Sequence, residues 1–368
     1  MSTKSKSSLE EKQHNSMAKN DLLYIHPKRI LVCQLRQIGD VVLTSHIPEM
    51  LKKKFPDAAI DFFTEKKCAP VLDHNPFISE IKILDKNDLT HFAKELAAYW
   101  KIARDNYDLV IDFQQLPRCR FVVLFSRAPV RFTSTPPWYN RWLYTHFAEP
   151  TKTHAIIRKA QLLAPLGIEW TGEMPDFHLT PEEKNEAQRL LQAHGVNQPE
   201  NILVSVAPTH HSPTRQWPAS HYGQLINLAV THNKRMKFFL FHGPGERACA
   251  EEVFEVANCP ENCILPESML SIRQMAAVID KADIHLGNCS APRHCAVAVG
   301  TPSLTIIGSA GSGWTFPKPE HTHICKNLPC QPCKNNTCAF ESIPCLATLQ
   351  HQTVFEALIE HVEKFAHR

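Results

Sequence analysis

The sequence predicts an α/β protein of two doubly wound domains. Three observations carry that expectation. At 368 residues the chain is long enough for two domains of ordinary size. Short apolar runs alternate with segments of helical periodicity. That alternation stops over 171–184 (TGEMPDFHLTPEEK) and then restarts.

The first half opens at Arg29-Ile-Leu-Val-Cys, an apolar run flanked by charge, as a buried parallel strand requires. Gln37-Ile-Gly-Asp reads as a turn, followed by a helix over 41–54. Strands follow at 59–64, 81–84 and 109–113, with a helix at 89–104 before the last. The second half repeats the pattern. Strands fall at 201–206, 237–241, 284–286 and 303–307, with helices at 219–232, 246–257, 271–282, 291–299 and 352–365. The expected division is a disordered polar tail over 1–27, a first Rossmann-like domain over 28–170, and a linker over 171–184. A second such domain with a Cys-rich end covers 185–348, and a last helix covers 349–368.

Composition excludes several classes. Lys plus Arg is 40 and Asp plus Glu is 37, so the net charge of +3 does not mark a dedicated nucleic-acid binder. No apolar run approaches the roughly 20 residues of a membrane span. The first twenty residues lack the apolar core of a signal peptide, so a cytoplasmic location is expected.

Four motifs carry chemistry. Arg36-Gln-Ile-Gly-Asp-Val-Val follows the first strand. Gly39 permits close backbone approach, and Asp40 at the helix start is either a cap or a general base. The loop 205–218 holds Thr209, Ser212, Thr214 and Arg215, a polar set with one cation. It suits phosphate oxygens, or is an ordinary capped loop over Trp217. In Phe241-His-Gly-Pro-Gly-Glu-Arg, Glu246 starts a helix, where it is electrostatic decoration or an acceptor for sugar hydroxyls. In Leu286-Gly-Asn-Cys-Ser-Ala-Pro-Arg-His, the amides of Ser290 and Ala291 open a helix and form an anion site. His294 is a core or cap histidine, or a ligand.

Two further stretches stand out. Residues 113–148 contain Arg118, Arg120, Arg127, Arg131 and Arg141 with no acid, interleaved with Trp138, Tyr139, Trp142 and Tyr144. This suits an anionic glycolipid at a membrane surface, or is a solvated basic face over core aromatics. Near the end, Cys325-x4-Cys330-x2-Cys333-x4-Cys338-x6-Cys345 points to a structural metal knot or disulfides. The zinc set expected there is Cys325, Cys330, Cys333 and Cys338.

Taken in order, the Gly-Asp-Val turn, the loop ending Trp-Pro, Gly-x-x-Glu and Gly-Asn-x-Ser-x-Pro-x-His resemble glycosyltransferase family 9, which contains the ADP-heptose:lipopolysaccharide heptosyltransferases. The similarity runs from about Arg29 to the last helix. It implies a GT-B fold, two Rossmann-like domains facing a central cleft, with the last helix crossing back to the first domain. It implies Asp40 as catalytic base, and donor contacts from Thr209, Arg215, Glu246, Asn288, Ser290, Ala291, Pro292 and His294. The acceptor side takes Gly39, Arg118, Arg120 and Arg141. The family usually has Asp where this chain has Cys289, and Asn288 is expected to cover part of that role. Where many members have Lys before Trp-Pro, this chain has Arg215, whose planar fork meets oxygens differently.

The resemblance implies inverting transfer of heptose from ADP-heptose to an inner-core acceptor. The partners are then a nucleotide-sugar donor and an anionic glycolipid at the inner face of the cytoplasmic membrane, held peripherally. The absence of an Asp-x-Asp pair fits a reaction without a catalytic metal or cofactor. The alternatives are another nucleotide-sugar donor or a non-catalytic nucleotide-sugar-binding relative. A nicotinamide-dependent enzyme is disfavoured, since no Gly-x-Gly-x-x-Gly follows the first strand.

Overall fold

A computed structural model describes residues 22–85, 87, 91–151, 153–197 and 199–366. The chain divides between Pro175 and Asp176 into two units, inside the stretch where the alternation breaks.

The first unit is a six-stranded parallel sheet: β1 Arg29–Cys33, β2 Ala59–Glu65, β3 Glu80–Leu84, β4 Leu109–Asp112, β5 Val130–Ser134 and β6 His146–Ala148. Its order is β3-β2-β1-β4-β5-β6. The second unit holds β7 Ile202–Ala207, β8 Met236–Leu240, β9 Cys263–Ile264, β10 Ile284–Asn288, β11 Ser303–Ile306 and β12 His321–Ile324. Its order, β12-β11-β10-β7-β8-β9, is the same winding read from the other edge. In each sheet the strand order reverses beside the first strand, between β1 and β4 and between β7 and β10. Such switch points open a crevice at the carboxyl ends of the strands. The central strands are apolar throughout because helices cover both faces. Ile30 to Cys33 and Ile202 to Ala207 are buried without exception.

The helix expected over 41–54 is two helices, α1 Ile38–Val42 and α2 Ile47–Lys54. Pro48 has no N–H to continue the ladder, and the chain tightens there, Ile47 N–H bonding the Thr44 carbonyl at 3.0 Å. The helix also begins earlier than expected, so Asp40 is its third residue and Gln37 the N-cap. Next come α3 Phe92–Ala103, α4 Pro117–Ser126 and α5 Ala155–Gln161. Residues 89 and 90 of the expected 89–104 helix lie outside the described ones.

The expected tail over 1–27 needs revision at its end. Residues 1–21 are outside the described chain, but Leu22–Tyr24 form a 3₁₀ turn packed on Ala164–Leu166, with Leu22 only 2 % exposed.

The expected linker also yields part of itself to a helix. α6 Pro181–Ala193 starts inside it, fixed by a capping box in which Thr180 Oγ1 accepts from Glu183 N while Glu183 Oε2 accepts from Thr180 N. The second unit continues with α7 Ala219–His232, α8 Arg247–Ala257, α9 Ile272–Lys281, α10 Ala291–Val299, the short α11 Pro344–Ala347 and α12 His351–Phe365. α6 is held to α9 by Lys184–Asp280 at 2.8 Å and by the Arg273–Glu183 pair. The last helix, expected to cross to the first domain, belongs to the second. Val354, Leu358 and Val362, spaced by four, join that unit's core against α7.

Candidate active site

At the switch point of the first unit, the β1–α1 turn is held from β4. Gln114 Oε1 accepts from Leu35 N at 3.0 Å and from Arg36 N at 3.1 Å. Asp112, buried at the end of β4, takes the amides of Gln114 and Gln115 and the Tyr144 hydroxyl. The turn therefore delivers Asp40 on a fixed backbone. Thr44 Oγ1 donates to the Asp40 carbonyl at 2.6 Å, while no hydrogen bond engages its carboxylate among the described residues. Asp40 does not cap the helix. Gly39 lies beside it, buried in the first turn of α1.

Behind Asp40 is a residue the sequence reading missed. Lys159 of α5 is buried, and its ammonium donates to Gln34 Oε1 at 2.6 Å and lies 5.6 Å from the Phe113 ring centre. Gln34 in turn donates to the Arg36 carbonyl at 3.1 Å. Burial pulls the Lys159 pKa down to about 8, against the Asp40 carboxylate, which pulls it up. Beside it the fully buried His46 has no hydrogen bond at either ring nitrogen, and burial, then Lys159, drive its pKa to about 3. The signal for Lys159 was present: in α5 it shares the buried face with Ala155, Ile156 and Ala160, where a lysine does not belong without a task.

At the switch point of the second unit the expected loops come together. The Glu246 carboxylate is clamped through Oε2, which accepts from Thr209 Oγ1 at 2.6 Å and from Gly243 N at 3.0 Å. A Cβ at Gly243 would stand 2.7 Å from that same oxygen and would push the carboxylate out of this position. Both bonds use Oε2, so Oε1 can accept from a ligand. The guanidinium of Arg215, in the 3₁₀ turn Pro213–Arg215, has no hydrogen bond or acidic partner among the described residues, and its Nε is buried. A buried guanidinium nitrogen without a partner is costly and points to an anion. Thr214 Oγ1 lies 3.0 Å from Ser309 Oγ, and Ser309 N donates to Thr214 O at 2.9 Å, so the loop is braced from beyond β11.

Ser290 is the N-cap of α10 without a side-chain cap bond, which leaves the first amides, from Ala291 on, facing the same end of the sheet. Pro292 presets that first turn. His294 is buried with its ring 6.2 Å from that of Trp314.

Asn288 has a different task from the expected one. Its Oδ1 accepts from Trp217 N at 3.0 Å and the Tyr222 hydroxyl at 3.1 Å, and its Nδ2 donates to Pro208 O at 2.7 Å. Its amide is spent on tying the loop to the sheet. Cys289, at the family's Asp position, receives Arg293 Nη1 at 3.2 Å.

The arginines expected on the acceptor side separate into kinds. Arg118 is committed to Glu65 at 3.4 Å and Glu95 at 3.8 Å. Arg120 is committed to Gln115 O and Asn140 Oδ1, both at 3.0 Å. Neither is a free cation, because buried carbonyls and carboxylates around α4 claim them. Arg141 is exposed, 5.5 Å from the Phe147 ring centre, next to Trp138 (82 % exposed) and Trp142 (67 %). Of the expected zinc set, Cys325 packs with Cys289, Ile307 and Ala310, and its thiol donates to Asn327 Oδ1.

Comparison with known proteins agrees with this geometry. The fold matches a family 9 glycosyl transferase of Veillonella parvula DSM 2008 with a TM-score of 0.77 at 20 % identity, covering 92 % of this chain and 98 % of that one. It also matches Escherichia coli heptosyltransferase WaaC, solved with ADP-2-deoxy-2-fluoro heptose, with a TM-score of 0.69 at 17 % identity over 90 % and 99 % of the two chains. Two Rossmann-like units of this kind are the GT-B fold, and the molecule is a glycosyltransferase. The model for glycosyltransferase family 9 (heptosyltransferase) matches residues 96–343, and the chain belongs to that family. Among curated relatives, lipopolysaccharide heptosyltransferase 3 of Escherichia coli is 26 % identical over 285 residues, 75 % of this chain and 82 % of the relative.

Proposed function

We propose that the protein transfers heptose from ADP-heptose to a lipopolysaccharide inner-core acceptor, with inversion and without a catalytic metal. One observation carries the donor side: Arg215, its Nε buried and unpaired, lies in the loop that Trp217 N ties to Asn288 at 3.0 Å, two residues before the N-cap of α10, at the switch point of a Rossmann-like unit. That is a diphosphate-binding arrangement. Glu246 Oε1 accepts from donor hydroxyls. Asp40, its carboxylate unengaged, removes the proton from the acceptor hydroxyl as that oxygen attacks the anomeric carbon. The bond from that carbon to the phosphate oxygen breaks, and ADP leaves with the electron pair, stabilised by Arg215 and the Ala291 amide; the Ser290 amide, expected to share this task, is spent on the Asn288 carbonyl at 2.8 Å. These fixed charges, in a sequence without Asp-x-Asp, supply the electrostatics otherwise asked of a cation.

Support for the acceptor class comes from the relatives' activity and from the exposed Trp138, Tyr139 and Trp142 around Arg141, which suit an anionic glycolipid at the inner membrane face. No helix among the described residues is long and apolar enough to cross a membrane.

Calorimetric titration with ADP-heptose and with UDP-, GDP- and dTDP-sugars, EDTA present, tests the donor. Selective binding of ADP-heptose is expected. Cys289 in place of Asp gives a second reading its footing, and preference for another nucleotide would replace the donor. Binding of none would overturn the donor site.

A further inference from the structure

The carboxyl ends of the second sheet stand in the row β11-β10-β7-β8-β9. The donor groups follow that row. Glu246 comes after β8, Arg215 after β7, and the first turn of α10 after β10. A diphosphate held by Arg215 and the Ala291 amide lies in the middle, so the two ends of a nucleotide sugar reach outward to β8 and to β11. The β8 end suits a nucleoside. Glu246 can accept from hydroxyls there. Arg247, the next residue, donates to Pro266 O at 3.2 Å, beside an apolar cleft lined by Phe241, Pro266, Leu270 and Met275. A flat base fits such a cleft. The sugar is left to the β11 end.

The loop after β11 is held by a buried cation. Arg293, in the first turn of α10, is only 2 % exposed and has no acidic partner among the described residues. Such burial is costly, and a cation at a helix N-terminus is disfavoured further. The guanidinium is committed to the loop. Its Nη2 donates to Trp314 O at 2.8 Å and to Thr315 Oγ1 at 3.1 Å, and its Nη1 meets Cys289 Sγ at 3.2 Å. Thr315 Oγ1 also lies 3.0 Å from His323 Nδ1 of β12, and Phe316 beyond it is buried. The backbone that carries Trp314 is therefore fixed from two elements. The Trp314 ring itself is half-buried. It packs on the cluster of Cys289, Ile307 and Ala310, with its centre 6.2 Å from that of the His294 ring. Cys289 and His294 bracket the first turn of α10, so the indole stands at that turn on its β11 side.

We propose, on the donor reading given above, that Trp314 is the platform for the donor sugar and that Arg293 is its positioning residue. The C–H edges of a sugar ring carry partial positive charge and stack on the electron-rich face of an indole. The half of the ring left open gives that face to a ligand, and covering it removes apolar area from water. Cys289, Ile307 and Ala310 behind the ring are apolar, so this side of the site reads the shape and the C–H face of the sugar. The nucleotide does not reach it, because base, ribose and diphosphate are taken up by the β8, β7 and β10 loops.

Calorimetry with ADP and with ADP-heptose on the full chain separates this role from the donor site as a whole. Trp314→Ala should bind ADP within about two-fold of wild type and lose about five- to tenfold in affinity for ADP-heptose. Trp314→Phe should keep most of that affinity. Trp314→Leu fills the apolar cluster without an aromatic face and should show the same selective loss, so the result does not hang on the alanine variant folding. Arg293→Lys keeps the charge but loses the fork on Trp314 and Thr315, and should show the selective loss too. Equal losses for ADP and ADP-heptose, with native circular dichroism, would put Trp314 on the nucleotide and overturn the platform. Unchanged ADP-heptose affinity in both Trp314→Ala and Trp314→Leu would overturn it as well. A selective loss in the Trp314 variants without one in Arg293→Lys would remove Arg293 as the positioning residue. Wild-type protein that binds neither ligand would overturn the donor reading, and the platform with it.

Discussion

The two switch points end the same strand order with opposite charge. In the first unit a carboxylate, Asp40, stands unengaged with an ammonium, Lys159, buried behind it. In the second a guanidinium, Arg215, stands unpaired with a carboxylate, Glu246, clamped nearby through one oxygen. The sheet order fixes where a crevice opens, and the loop residues decide what it attracts. On the proposed reading, one crevice takes a proton and the other holds an anion.

The sharpest way to break this comparison is Asp40→Asn. Turnover should fall by about 10³-fold or more, with donor affinity within a few-fold by calorimetry. Wild-type-like turnover would remove Asp40 as base. Next is Arg215→Met, for which kcat/KM should drop about 10²-fold. Arg215→Lys should recover part of the loss, because the charge returns without the fork. A KM change alone would make Arg215 a ground-state contact.

Lys159→Met sharpens the first unit's half. A buried ammonium is expensive, and its depressed pKa is the measure of that cost. Stability referenced to the neutral amine is full above pH 10.5 and falls as pH drops toward about 8, so at neutral pH the cost is present. The variant should therefore melt a few degrees higher while kcat falls about tenfold, a trade expected when a strained group serves the site. A lower melting temperature with unchanged kcat would make Lys159 structural. The smallest effects belong to the arginines. Arg141→Ala should raise acceptor KM a few-fold and weaken its salt dependence. Arg118→Ala and Arg120→Ala should lower the melting temperature instead. Equal KM effects from all three would restore a common basic face.

Much of this was legible. The apolar strands and the four motifs gave both Rossmann-like units and the loops that meet in the second. The failures have physical sources. Thr180-Pro-Glu-Glu is a capping box with proline at the first helical position, a start signal hidden in what otherwise reads as a linker. α4 buries one face, Cys119, Val122, Val123 and Ser126, but Phe121, Leu124 and Phe125 off that face are apolar too, so it shows no clean stripe. Arg118, Arg120 and Asn288 carry the right chemistry for ligands, but their hydrogen bonds go to residues 20 to 80 positions distant or to local backbone. Local spacing cannot report partners that only the fold supplies.

Leu22 sets where this chain can be shortened. Its side chain is sealed against Ala164–Leu166, and Leu23 lies against Gly167. A construction boundary placed at residue 21 or earlier keeps that seal. One placed at 28, where the periodic pattern begins, would strip an apolar plug from the first unit and invite precipitation.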